Sequence, residues 1–379
     1  MSVSFQQLGL NPNLIEGLLK NNIEVPTDIQ VKSIAPIMNN ENIIAQSQTG
    51  TGKTLAYLLP LFQRIDSTKR EMQVIILAPT HELVMQIHNE ISLLSKNSNS
   101  NITSCPIIGE VNIKRQIEKL KEKPHIIVGS AGRVFELIKK KKISAHTVKT
   151  IVLDEGDRLL DKSNAPKVKD VIKTTMRDTQ ILMFSATISQ RTLDIANVIL
   201  KNPKVIKVKS SELMNPNISH MYFQCEARDK IEILRKLLAS IKPKRAIVFI
   251  NKPTEIDVTT SKLQYHKINT YSISGKTSKE DRKKAIDGFK KGKYEILIAS
   301  DVAARGLDVS NITHIFNLDL PSDSMDYLHR VGRCGRGDNL GTAISIVTEK
   351  ELSFIKKYEN KFNIKIDKKE FTKVKFLKK

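Results

Sequence analysis

The stretch Ile43-Ile44-Ala45-Gln46-Ser47-Gln48-Thr49-Gly50-Thr51-Gly52-Lys53-Thr54 decides the fold. It begins as a short aliphatic run of the kind that forms a buried strand. It then crosses a glycine- and threonine-rich loop and enters Leu55, Leu58 and Leu59, whose spacing opens a helix. A strand, a glycine loop ending in Lys-Thr and a helix, in that order, form the context of a phosphate-binding loop. Glycines let the backbone curl around phosphates, and amides at a helix N-terminus attract negative charge. Gln48, Thr49, Gly50, Thr51 and Gly52 are therefore candidate nucleotide ligands, Lys53 is placed to reach the outer phosphates, and the Thr54 hydroxyl is suited to hold Mg²⁺.

Further aliphatic runs read as buried parallel strands at residues 74–78, 126–129, 151–154 and 181–184, and again at 246–250, 295–299, 314–319 and 343–347. Amphipathic stretches lie between them; Val84, Ile87, Ile91 and Leu94 share one helical face. This alternation predicts α/β domains. A polar stretch with Pro216 separates the strand sets, which places a linker at residues 210–219 between domains at 1–209 and 220–379. A chain of 379 residues suits two cores. The end, residues 361–379, is lysine-rich but keeps Phe362, Ile364, Ile366, Phe371, Val374 and Phe376, so it reads either as a last strand and helix edge or as a basic tail.

The first residues lack a secretory pattern, no apolar run is long enough for a bilayer, and Cys105, Cys225 and Cys334 are odd in number and far apart. The expectation is a cytoplasmic protein with reduced thiols. Net charge is +22 with pI near 9.7, which favours polyanionic partners but also fits a generally lysine-rich composition.

The strand ending at Leu153 runs into Asp154-Glu155-Gly156-Asp157. A carboxylate at a strand's carboxyl end beside a phosphate loop is where a second Mg²⁺ contact is needed. Asp154 is the candidate for that contact, partly through water, and Glu155 for orienting and deprotonating an attacking water. An acidic turn capping the next helix is the plainer alternative, and Asp157 suits it.

Together these segments resemble the DEAD-box RNA helicases, with the phosphate loop as motif I and the acidic box as a variant motif II. Phe5 with Pro26-Thr27-Asp28-Ile29-Gln30 resembles the Q motif, and Ser185-Ala186-Thr187 stands where motif III belongs. Ser300-Asp301-Val302-Ala303-Ala304-Arg305-Gly306-Leu307-Asp308 resembles motif V, and His329-Arg330-Val331-Gly332-Arg333-Cys334-Gly335-Arg336 motif VI. The resemblance implies two tandem RecA-like domains, each a mostly parallel sheet flanked by helices. ATP and Mg²⁺ are the implied cofactors, with Gln30 reading the adenine edge and Phe5 and Asp308 completing the nucleotide site. Arg333 and Arg336 would neutralise charge on the transferred phosphoryl group while His329 orders water, and Asp157, Ser185 and Thr187 would couple the domains.

For RNA, the resemblance matches Pro79-Thr80-His81-Glu82-Leu83 to motif Ia, Gly109 and Gln116 to the GG region, Ser130-Ala131-Gly132-Arg133 to motif Ib, and Gly275 with Arg282 to motif IVa. Thr80, Arg133, Arg282 and Ser300 are the implied phosphate contacts. The expected activity is an RNA-dependent ATPase that locally unwinds short duplexes or remodels RNA–protein complexes by ATP-gated closure. Its implied form is a monomeric core that takes targeting from protein partners. An ATP-gated RNA clamp without productive unwinding is the main alternative, and a DNA translocase a lesser one. Departures from the family pattern fall on His81 for arginine, Ser130-Ala131 for Thr-Pro, Glu110 for glycine, Lys279 for glutamine, Ile23 for an aromatic and Gly156 for alanine.

Overall fold

The computed structural model describes residues 3–47, 51–109, 112–208, 214–274, 277–304, 309, 311–335 and 339–370, the side chains of Lys279 and Val302 aside. The chain divides into two compact units, Met1–Ser210 and Ser211–Lys379. The first holds strands β1 (Ile43–Gln46), β2 (Val74–Leu77), β3 (Ser104–Ile107), β4 (Ile126–Gly129), β5 (Thr150–Asp154), β6 (Gln180–Ser185) and β7 (Lys204–Lys207). The second holds β8 (Ile218–Gln224), β9 (Ala246–Phe249), β10 (Thr270–Ile273), β11 (Ile296–Ala299), β12 (His314–Asn317), β13 (Gly341–Val347) and β14 (Asp367–Lys369).

Each unit is one seven-stranded parallel sheet, ordered β3-β4-β2-β5-β6-β1-β7 in the first and β10-β11-β9-β12-β13-β8-β14 in the second. Raising each strand number of the first order by seven gives the second, so both units use one winding. This is the tandem RecA-like architecture. β2, β4, β5, β9 and β11 are buried along their whole length, because helices cover both faces of a parallel sheet and the strands must then be continuously apolar. Alternate residues serve opposite faces: Ile43 and Ala45 join one core, Ile44 the other, and Ile247 and Phe249 are likewise separated from Ala246 and Val248.

The structure differs from the sequence expectation at several edges. β8 begins at Ile218, two residues inside the stretch assigned to the linker, and pairs there with Gly341. Ile218 is a lone apolar residue between Asn217 and Ser219, so its pattern reads as loop. β3, β7, β8 and β10 are strands that the sequence reading does not include, while β14 falls where a last strand was one of its two readings. β7 is exposed at Lys204, Val205 and Lys207, and β3 carries Pro106, a residue suited to a sheet edge. The chain end is a helix, Leu352–Phe362, followed by β14; residues 371–379 lie outside the described residues. No helix among the described residues is long and apolar enough to cross a membrane.

Candidate nucleotide and nucleic-acid sites

Register sets the geometry of the first unit. Asp154 pairs with Phe184 and Phe184 with Ala45, so β5, β6 and β1 end level and side by side. Their carboxyl-end continuations, the acidic box, Ser185-Ala186-Thr187 and the loop before Lys53, therefore converge on one edge. Ligands of open α/β sheets bind at this edge.

Lys53 opens the helix Lys53–Arg64 and its Nζ donates to the Ser47 carbonyl at 2.7 Å, closing the base of the loop. Burial pulls its ammonium down to about 8, against the opposing pull of Asp154, Glu155 and Asp157. Ser47 and Thr51 share a hydroxyl hydrogen bond of 2.7 Å across the same loop. Gly52 has φ +82°, and a Cβ there would stand 2.6 Å from Gln30 Nε2, so both conformation and space demand glycine.

Gln30 is buried within the helix Asp28–Met38. Its Oε1 accepts from the Thr27 amide at 2.9 Å and its Nε2 donates to the Gly52 carbonyl at 3.2 Å, so it braces the phosphate loop as well as capping its own helix. Phe5 is packed inside the core that also contains Ile29, next to Gln30 in sequence.

Asp154 is buried, and both its oxygens are engaged: Oδ2 accepts from Tyr57 Oη at 2.8 Å and Oδ1 from the Glu155 amide at 2.9 Å. Burial pushes its carboxyl up to about 6, opposed by the Tyr57 bond and by Lys53. Glu155 adopts a left-handed backbone at φ 52° and pairs through Oε2 with Arg158 at 3.3 Å. Positive φ in a non-glycine residue is a held conformation. The Thr54 hydroxyl and the Asp154 carboxylate are hard oxygen donors, each with lone pairs to spare, and they fit a small divalent cation bound together with phosphate.

Asp157, Ser185 and Thr187 form a closed circuit. The Asp157 amide donates to Ser185 Oγ at 3.3 Å, Ser185 Oγ donates to the Thr187 carbonyl at 2.7 Å, and Thr187 Oγ1 donates to Asp157 Oδ2 at 2.6 Å. The acidic box and the β6 end are thereby locked to each other.

The other half of the edge carries the nucleic-acid candidates. Thr80 follows β2 and caps the helix His81–Ser98 by accepting from the Leu83 amide at 3.2 Å. Ser130 follows β4 as N-cap of the helix Ala131–Lys139, where Arg133 pairs with Glu136 at 3.1 Å. Gln116, after β3, donates from Nε2 to the Ile108 carbonyl at 2.9 Å. In sheet order, β3-β4-β2 thus presents the nucleic-acid candidates and β5-β6-β1 the nucleotide candidates.

The second unit follows the same plan. Ser300 follows β11, is buried, and its Oγ accepts from the Ala303 amide at 3.4 Å; Arg282 lies on the helix Lys279–Lys290 after β10. His329 and Arg330 are in the last turn of the helix Ser324–Val331, and Arg333 follows that helix. Gln48, Thr49, Gly50, Glu110, Gly275, Asp308 and Arg336 lie outside the described residues.

Sequence reading missed two residues. Tyr57 reaches Asp154 from a position whose only signal was its place one helical turn beyond Lys53 and Thr54. Arg330, quoted within its motif but given no role, is fully buried; its Nε and Nη2 each donate to Asp301 at 2.6 Å, Nη2 also to Asn251 Oδ1 at 2.6 Å, and Nη1 to the Asp319 carbonyl at 2.6 Å.

Comparison with known proteins agrees with this arrangement. Residues 27–195 match the DEAD/DEAH box helicase family model, and residues 229–338 match the helicase conserved C-terminal domain. The chain is 40% identical over 368 residues to the DEAD-box ATP-dependent RNA helicase CshC of Bacillus cereus, covering 97% of this chain and 94% of that one. It is 42% identical over 341 residues to the probable ATP-dependent RNA helicase YfmL of Bacillus subtilis, covering 90% of each. Among solved structures, S. cerevisiae Dbp5 bound to RNA and ADP BeF3 is similar with a TM-score of 0.88 and 29% identity, covering 97% of this chain and 95% of that one.

Proposed function

The chain belongs to the family of DEAD-box ATP-dependent RNA helicases, and we propose that it is an RNA-dependent ATPase that locally unwinds short RNA duplexes or remodels RNA–protein complexes. The observation that carries this reading is the convergence of Lys53, Asp154 and the Asp157–Ser185–Thr187 circuit on the level ends of β1, β5 and β6, beside a half-edge that presents Thr80 and Arg133.

In the proposed mechanism Lys53 and the loop amides bind the outer phosphates of ATP, and Gln30 sets the shape of that loop. Thr54 and Asp154 hold Mg²⁺, which supplies neutralising charge on the phosphate oxygens when bound. Glu155 of the variant box Asp154-Glu155-Gly156-Asp157 orients the attacking water and accepts its proton; leaving Arg158 frees it to do so. Arg333 and Arg336 stabilise the negative charge that builds on the transferred phosphoryl group, with His329 ordering water. Phe5 acts through the packing behind Gln30, and Asp308 receives the ribose.

Thr80, Arg133, Arg282 and Ser300 bind the sugar–phosphate backbone, so recognition has little dependence on base sequence. ATP and single-stranded RNA together favour closure of the two units, and a bent strand admits no A-form duplex, which opens a few base pairs. Hydrolysis releases the strand. The protein works in the cytoplasm as a monomeric core, and protein partners supply its targeting.

The test is release of a labelled strand from a short RNA duplex with ATP and Mg²⁺. Release that requires ATP, and that Glu155→Gln abolishes, is the expected result. ATP-dependent retention of RNA with no strand release would replace unwinding with an ATP-gated clamp, and release from DNA alone would overturn the RNA assignment.

A further inference from the structure

Tyr57 lies on the helix Lys53–Arg64 and is 0% exposed. A buried phenol needs a hydrogen-bond partner, and this one meets Asp154 Oδ2 at 2.8 Å. A tyrosine hydroxyl has one proton, and an ionised carboxylate only accepts. Tyr57 therefore donates to Asp154.

On Asp154, Tyr57 occupies one side of Oδ2 and the Glu155 amide one side of Oδ1, which fixes the plane of the carboxylate while leaving acceptor capacity on both oxygens. We propose that Tyr57 is a positioning residue for the metal that accompanies the nucleotide: its hydroxyl holds the Asp154 carboxylate with its oxygens aimed at Mg²⁺. Groups that orient ligands in this way tune metal affinity without touching the ion. The inference rests on the assignment of Thr54 and Asp154 as Mg²⁺ ligands made above.

The ring and the hydroxyl have separable tasks. The ring packs against Phe184 with centroids 5.2 Å apart, a contact that phenylalanine would keep. Tyr57→Phe in the full chain therefore removes the hydrogen bond to Asp154 and spares the core.

The experiment measures the affinity of fluorescently labelled ADP by anisotropy, in Mg²⁺ and in EDTA, for the wild type and Tyr57→Phe, alongside their melting curves. The wild type binds more tightly with Mg²⁺. In Tyr57→Phe the ratio of the two affinities falls about tenfold, while affinity in EDTA stays within about twofold. Adding Asp154→Asn to Tyr57→Phe lowers the ratio no further than Asp154→Asn alone. An unchanged ratio in Tyr57→Phe, or an equal loss with and without Mg²⁺, overturns the role of Tyr57. A wild-type affinity indifferent to Mg²⁺ overturns instead the assignment of Thr54 and Asp154.

Discussion

At Gly156 the family's usual alanine would bring a Cβ to 2.6 Å from Met183 Cγ and 2.7 Å from Met183 Cε. Glycine at this position is thus matched to a methionine on the neighbouring strand, and the substitution is one of packing. Methionine is flexible enough to yield. Gly156→Ala is expected to lower stability by about 1 kcal/mol in urea unfolding and to leave hydrolysis within severalfold of wild type. Its cost in a Met183→Val background should shrink by about 0.5 kcal/mol or more, as residues in contact are not additive.

His220 gives a second prediction at this scale. It is buried against the Tyr327 hydroxyl, with 2.9 Å between Nδ1 and Oη, and burial pulls its imidazole down to about 4 from an ordinary 6.5. Between those values the unfolded chain holds a proton that the folded chain does not, so stability is lost as pH falls from 6.5 toward 4. His220→Gln should flatten the pH dependence of unfolding in that window by up to one proton, while changing nothing in its slope above pH 7.

At the scale of elements, Arg330 ties together the carboxyl ends of β9, β11 and β12, through Asn251, Asp301 and Asp319 in turn. Its plane lies over Phe249 at 4.9 Å. A fork of donors serving several acceptors is a geometry lysine cannot copy. Arg330→Ala leaves Asp301 without its charge partner and is expected to cost about 3–5 kcal/mol, seen as a lower denaturation midpoint. Arg330→Lys should recover only a minor part of it.

Elements also show what the sequence made legible. The phosphate loop and acidic box could be read because each is a local string whose meaning lies within a few neighbouring residues. The central strands could be read because burial on both faces leaves an unbroken apolar run. Tyr57 and Arg330 could not, since their partners are 97 and 29 residues away and nothing local marks a tyrosine or arginine as buried. The exposed β7 and the proline-bearing β3 were hidden because pairing at a sheet edge makes few demands on side chains.

For the whole molecule, the repeated strand order gives each unit a half-edge that carries the proposed backbone contacts, and the net charge of +22 favours a polyanionic partner. Binding to single-stranded RNA should weaken steeply with salt, and Arg282→Ala should reduce the slope of log affinity against log salt by about 0.7, one phosphate's share. An unchanged slope would remove Arg282 from the contact set.

Coupling between RNA and ATP is the central claim, and steady-state ATPase with and without single-stranded RNA, using Glu155→Gln as control, tests it most directly. The account predicts slow hydrolysis alone, strong stimulation by RNA and loss of both in Glu155→Gln. Hydrolysis indifferent to RNA, or stimulated by DNA only, would contradict it.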